Sequence, residues 1–209
     1  MGKQVIIIDH PLIKRNISIL RDKTTPVNQF RDTVTELSTL MAYEVTKDIN
    51  VQTYEIHTPL EKTEGYFVSD QIVIIPILRA GLGILDGFLK FLHEARVGML
   101  GLYRDHRTHE PVEYYSNIPS GIENSVVILI DPMLATGGSA IMAVDYLKKL
   151  GAKKIKFVCL IAAPEGIEAF HTKHPSVPVF TASVDRCLNH NKYILPGLGD
   201  AGDRFFGTM

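Results

Sequence analysis

Cysteine is scarce: the 209 residues hold only Cys159 and Cys187. Two lone thiols form neither a disulfide framework nor a metal-binding spacing, and both are expected to be buried and reduced. Long hydrophobic runs are absent as well, and none approaches the length of a membrane span. The opening stretch "MGKQVIIIDHPLIKRN" carries an apolar run of only four residues, Val5–Ile8, before Asp9. That is too short for a signal-peptide core, so a cytoplasmic, soluble protein with no membrane partner is expected. No sign of charge dominates. The formal net charge is −1 and no long basic block occurs, which argues against a broad electrostatic grip on nucleic acid. Repeats, low-complexity tracts and linkers are missing too, so one domain over residues 1–209 is expected.

The chain does contain ample material for a core. It is 45% hydrophobic, with a mean hydropathy near zero, which fits a folded α/β domain. "NQFRDTVTELSTLMAYEVTKDI" places Phe30, Val34, Leu37, Met41, Val45 and Ile49 on one helical stripe, with Asn28 as its predicted N-cap. "VQTYEIHTPL" and "GYFVS" read as short peripheral strands. From "DQIVIIPILRAG" onward the texture changes. Apolar runs there are continuous rather than alternating, as in parallel strands covered on both faces. "ARVGMLGLYRD", "SVVILID", "KIKFVCLIAAP" and "VPVFTASVD" continue the pattern. The helical stretches "LGILDGFLKFLHEA", "GSAIMAVDYLKKLGA" and "EGIEAFHTKHP" lie among them, with Gly151 as the stop of the second. The expected fold is α/β: a parallel sheet flanked by helices, with a flap hairpin.

Ligands of such sheets sit beyond the carboxyl ends of the strands. Arg79, Arg104 and Asp131 all fall there. In "VVILIDPMLATGGSA", Asp131 ends a strand and is followed by Pro132, Met133, Leu134, Ala135, Thr136, Gly137, Gly138 and Ser139. The two glycines allow close approach of a ligand, and successive amides at a helix start can point at phosphate oxygens. No lysine follows the glycines, so the stretch is not a P-loop. A carboxylate beside an anion cradle makes sense if a sugar diol binds Asp131 while its terminal phosphate enters the loop. The competing view is that Thr136 or Ser139 merely caps a helix.

"PILRAGLG" places Arg79 where its guanidinium fork could reach a diphosphate oxygen, or else form a surface salt bridge. Gly81, Gly83 and Gly87 loosely match a dinucleotide fingerprint, but they lie mid-chain without the acidic partner such a site needs. Gly197, Gly199 and Gly202 of "YILPGLGDAGDRFFGTM" match G-x-G-x-x-G formally, yet no strand–helix–strand unit fits into the residues that follow. These glycines instead expose main chain around Asp200, suited to reading a flat, amide-rich ligand. "LYRDHRTHEPVEYYSNIP" gathers Arg104, His106, Arg107 and His109 in a hairpin without a third metal ligand at helical spacing.

Taken together, these stretches resemble the type I phosphoribosyltransferases. Most of that superfamily carries two adjacent acids where this chain has Asp131-Pro132. The departure is similar to the uracil phosphoribosyltransferase branch, which also carries "ILRAGLG", "LYRDHRT–EPVEYY" and "LPGLGDAGDR–FGT". The likeness spans essentially the whole chain and implies a small hood beside the sheet. It implies transfer of the phosphoribosyl group from 5-phospho-α-D-ribose 1-diphosphate (PRPP) to uracil, giving UMP and diphosphate in pyrimidine salvage. Under it, Asp131 holds the ribose hydroxyls, and Pro132, Met133 and Leu134 lead into an Ala135–Ser139 turn that holds the 5-phosphate. Arg79 and Arg104 hold the leaving diphosphate. Asp200 is the acid on the uracil side, and the main chain of Ile194, Gly199 and Ala201 reads uracil. Mg2+ is implied as a substrate-bound cofactor, not caged by protein. GTP as an effector and a homo-oligomer, dimer or tetramer, are further family implications. The rival from another class is a PRPP-binding regulator of the same fold acting on nucleic acid, which would need a basic face or an added module. A purine or orotate transferase and a dinucleotide-dependent dehydrogenase are more distant rivals.

Overall fold

The computed structural model describes residues 4–104 and 111–208, the side chains of Tyr103, Arg104 and Pro111 excepted. Strand β1 (Val5–Ile7) leads into helix α1 (Pro11–Arg21). Neither was legible in the sequence pattern. Pro11 occupies the first helical turn, His10 Nδ1 accepts the Leu12 amide at 3.2 Å, and Ile13, Ile17 and Leu20 form the buried stripe. Helix α2 (Val27–Val45) starts after Pro26, whose carbonyl accepts the Phe30 amide at 2.9 Å. Asn28 is therefore inside the first turn and is not the N-cap. The helix ends at Val45, where the buried Lys156 Nζ takes the Val45 carbonyl at 2.7 Å. Ile49 lies beyond that end, although it still packs on the core.

Strands β2 (Val51–His57) and β3 (Lys62–Val68) form a separate antiparallel ribbon. The sheet proper begins with β4 (Gln71–Leu78), helix α3 (Leu82–Phe91) and the two pieces β5 (Arg96–Val97) and β6 (Met99–Arg104). The bend at Gly98 divides what reads as one strand in the sequence, and its amide still bonds Ile74 across the break. β7 (Pro111–Asn117) runs antiparallel to β6 and makes the expected hairpin. His106, Arg107 and His109 lie outside the described residues.

Next come β8 (Ser125–Ile130), β9 (Met133–Leu134), α4 (Gly138–Lys149), β10 (Lys154–Ala162), α5 (Pro164–Lys173) and β11 (Val179–Val184). Last are β12 (Cys187–Leu188), β13 (Ile194–Leu195) and α6 (Ala201–Phe206). The antiparallel β12–β13 pair is separate from the main sheet. Gly151, at φ +95°, follows α4 and ends it as expected.

The main path of the sheet is β1-β11-β10-β8-β4-β6-β7, parallel except at β6–β7. Its central strands are apolar throughout because both faces are covered. Ile128, Ile130, Val158 and Leu160 face the layer of α1, α2 and α3, whereas Val127, Leu129, Phe157 and Cys159 face α4 and α5. Each fully buried side chain of this size contributes roughly 1.5–3 kcal/mol. Helices α2 and α3 cross closely, because a Cβ on Gly87 would lie 2.5 Å from that of Ser38. Gly87 thus serves packing, not a dinucleotide. Of the two thiols, Cys159 is buried and Cys187 only half-buried, so the expectation for Cys187 was too strong. Among the described residues no helix is long and apolar enough to cross a membrane.

Candidate active site

The parallel strands deliver the predicted residues to one edge of the sheet. β8 ends at Ile130 and hands over Asp131, β4 ends at Leu78 and hands over Arg79, and Arg104 closes β6 beside it.

The 131–139 segment is stitched down before it turns. The Asp131 amide donates to the Val158 carbonyl at 3.1 Å, and the Pro132 carbonyl accepts the amides of Leu160 at 3.0 Å and Ile161 at 3.2 Å. β9 then pairs with Ile161 and Ala162 of β10, and the Ala163 amide bonds the Leu134 carbonyl at 2.9 Å. Pro132 suits this bulge: it has no N–H to satisfy, and its carbonyl serves two donors. The chain then reverses through Gly137 at φ +83°, a left-handed conformation that favours glycine.

Helix α4 starts at Gly138 with no side chain capping it. That disposes of the view that Thr136 or Ser139 is there merely as a helix cap. The uncapped amides at the positive end of a twelve-residue helix form a ready anion seat. A cavity of about 90 Å³ lies there, lined by Asp131 and residues 133–140. A larger hollow, of about 670 Å³, opens at the other ends of the strands, between β3 and the end of α3. It touches none of the strand-end residues.

Asp131 is half-buried. Burial pushes its carboxyl up to about 7, against a smaller opposing pull from the Met133 amide. The buried Cys159 thiol close by is driven up to about 12 by the same desolvation, with the Asp131 charge adding to it. An unliganded carboxylate here is poorly solvated, so hydroxyl donors from a ligand would replace water it has lost.

Arg79 is exposed, and its guanidinium lies 5.8 Å from the centre of the Phe206 ring. Among the described residues it has no carboxylate partner, so the salt-bridge alternative finds no counterpart. The loop behind it is tightly packed: a Cβ on Gly81 would come 2.7 Å from the Ile130 and Ile77 carbonyl oxygens. A Cβ on Gly202 would fall 3.6 Å from that of Ala80. The loops beginning at Arg79, Asp131 and Asp200 therefore meet at this edge.

Asp200 is exposed and caps α6, its Oδ1 accepting the Asp203 amide at 2.9 Å. Ala201 is buried and opens that helix, Gly199 is exposed at φ +78°, and Ile194 is buried in β13.

Several positioning groups were invisible to sequence reasoning. Arg21 and the buried Asp185 pair with each other and grip both the amide and the carbonyl of Gly197. Arg204 is buried, donates to the carbonyls of Leu20, Leu198 and Asp22, and stacks 4.5 Å over Phe30. Gly166 of α5 presses on the Leu134–Ala135 backbone. Only the glycine in "EGIEAF", unusual inside a helix, offered any signal.

A mostly parallel sheet with an anion seat after a strand-ending acid defines a type I phosphoribosyltransferase. An adenine phosphoribosyl transferase from Trypanosoma brucei shares this fold at TM-score 0.58, covering 90% of this chain and 89% of its own at 13% identity. A solved structure from Aquifex aeolicus matches at TM-score 0.91 and 39% identity over 97% of this chain and 98% of its own. The family model described as uracil phosphoribosyltransferase matches residues 7–208. The uracil phosphoribosyltransferase of Geobacillus kaustophilus is 53% identical over the full length of both chains. That of Salinibacter ruber is 52% identical over 99% of this chain and 98% of its own. The chain belongs to the uracil phosphoribosyltransferase family.

Proposed function

We infer that this enzyme transfers the phosphoribosyl group of PRPP to uracil, yielding UMP and diphosphate. Beside family membership, one observation carries the reading: the uncapped α4 N-terminus and Asp131 share one cavity at the sheet edge where the Arg79 and Asp200 loops meet. Residues Ala135–Ser139 receive the 5-phosphate, with Thr136 and Ser139 adding hydroxyl donors. Asp131 accepts the ribose hydroxyls, while Pro132, Met133 and Leu134 fix its distance from the phosphate seat. Arg79 and Arg104 bind the diphosphate and stabilise its charge as the C–O bond breaks.

The anomeric carbon becomes oxocarbenium-like as diphosphate departs, and a ring nitrogen of uracil bonds to it from the opposite face, its N–H proton leaving to water. Neutral uracil is a weak nucleophile, so the rate must come from alignment and leaving-group stabilisation. The main chain of Ile194, Gly199 and Ala201 aligns the base, and Asp200 acts from the same side. Magnesium bound with PRPP would neutralise charge on the diphosphate. The oxygen donors Asp131 and Asp200 fit its preference and would hold it through water and substrate.

The same proposal includes a cytoplasmic location, which rests on the family likeness, and a homo-oligomer, dimer or tetramer, supported by the exposed Tyr54, Tyr66, Phe67 and Val68 of the β2–β3 ribbon. GTP as an effector rests on the family likeness alone. No observation favours the nucleic-acid-binding regulator. Arg79→Ala tests the assignment of roles: turnover and diphosphate binding should fall far more than uracil binding, and unchanged turnover would remove Arg79 from its role.

A further inference from the structure

We propose that Phe206 is a positioning residue for the transfer reaction, its ring setting where the Arg79 guanidinium meets the diphosphate. The inference rests on the reading of Arg79 given above. Arg79 is exposed, and the Phe206 ring, 5.8 Å below its guanidinium carbon, is its ring partner among the described residues. A long, exposed arginine with no ion-pair partner among the described residues samples many rotamers, and ordering it on binding costs free energy. An aromatic face within about 6 Å of the cation narrows that ensemble beforehand.

The ring can act this way because it is itself held. Phe205 meets Phe206 edge-to-face with centroids 5.1 Å apart. Phe205 in turn lies over Gly83, where a Cβ would approach its ring to 2.9 Å, so only glycine lets α6 sit this close to α3. Arg31 closes the arrangement from outside: its Nε donates to the Phe205 carbonyl at 2.6 Å, and its guanidinium stands 5.8 Å from the Phe205 ring. Arg31, Phe205, Phe206 and Arg79 thus form a continuous run from α2 to the diphosphate side of the site. The short helix that carries Asp200 at one end carries the support for Arg79 at the other.

The test is steady-state kinetics on the full-length enzyme with PRPP and uracil varied separately, plus product inhibition by diphosphate. Variants are Phe206→Leu, Phe206→Tyr, Arg79→Ala and the double substitution Arg79→Ala with Phe206→Leu. Phe206 is only half-buried, so the leucine variant is expected to fold. Phe206→Leu should raise the KM for PRPP and weaken diphosphate inhibition by about two- to fivefold. The KM for uracil should be unchanged, Phe206→Tyr should restore wild-type values, and Phe206→Leu should add nothing once Arg79 is alanine. An equal effect of Phe206→Leu with and without Arg79, or a matching rise in the KM for uracil, would overturn the proposal. Arg79→Ala impairing PRPP use while Phe206→Leu does nothing would also overturn it, leaving the role of Arg79 intact. If Arg79→Ala itself is without effect, the reading of Arg79 fails and takes the inference with it.

Discussion

The Arg21 guanidinium and the Asp185 carboxylate form a two-pronged ion pair, Nη1 to Oδ2 at 2.7 Å and Nη2 to Oδ1 at 2.5 Å. The same two groups seize Gly197: Arg21 Nη1 donates to its carbonyl at 2.8 Å, and its amide donates to Asp185 Oδ2 at 2.9 Å. The turn before Asp200 is therefore anchored at Gly197 to α1 and to the end of β11, and at Leu198 to Arg204.

Breaking that clamp should cost both stability and uracil recognition. Arg21→Leu leaves the Asp185 carboxylate, 1% exposed, without its counter-charge, and urea unfolding should show a loss of ~3 kcal/mol. The KM for uracil should rise more than that for PRPP; equal changes would mean the clamp does not act on the base site.

The pH dependence of that loss follows from Asp185. Burial pushes its carboxyl up, but Arg21, the Gly197 amide and the Ser183 hydroxyl outweigh it and hold the group below its ordinary 3.8. Stability from a lowered carboxyl pKa is present above the unfolded value and is lost as pH falls through the folded one. The advantage of the wild type over Arg21→Leu should thus be full at neutral pH and shrink below about pH 4. An advantage independent of pH would assign it to packing alone.

Asp131 behaves in the opposite sense. Its carboxyl is raised to about 7 by burial, so without ligand the folded state takes up a proton that the unfolded chain has released. That contribution favours folding below the unfolded value and is lost as pH rises through about 7. Asp131→Asn should therefore stabilise the free enzyme at pH ~8 more than at pH ~5, by thermal unfolding, while greatly weakening PRPP binding. A substitution that destabilises equally at both values would contradict this environment for Asp131.

Gly166→Ala probes the floor of the phosphate seat. The new methyl would meet the Ala135 carbonyl and stand 2.6 Å from the Leu134 carbonyl oxygen, both backbone groups that cannot swing aside. A cost of about 1–3 kcal/mol is expected, with a raised KM for PRPP and little change for uracil. An unaltered KM for PRPP would show that α5 does not set the loop.

These positions also mark what the sequence could and could not reveal. β8, β10 and the Asp131–Ser139 loop were legible because burial on both faces leaves unbroken apolar runs, and because paired glycines at a helix start after a strand mark a place where a ligand can approach the backbone. β1 was missed because three residues of strand show too little periodicity on their own, and α1 because the exposed Leu12 and half-buried Ile19 blur its Ile13–Ile17–Leu20 stripe. Asn28 has good capping chemistry, but Pro26 starts the helix two residues earlier. At the other end of the chain, α6 was hidden by glycines that looked like loop. Arg21 and Asp185 stand 164 positions apart, and no local pattern links two such residues. Phe206, within a stretch singled out for its glycines, gave no sign of its place under Arg79.

The central claim concerns which base this site joins to PRPP. The most direct measurement is nucleotide formation from uracil, cytosine, orotate, adenine and hypoxanthine, each supplied with PRPP and magnesium. The account predicts UMP and an equal amount of diphosphate from uracil, with the other bases turned over far more slowly. Preferential turnover of orotate or a purine, or no turnover of uracil, would contradict it.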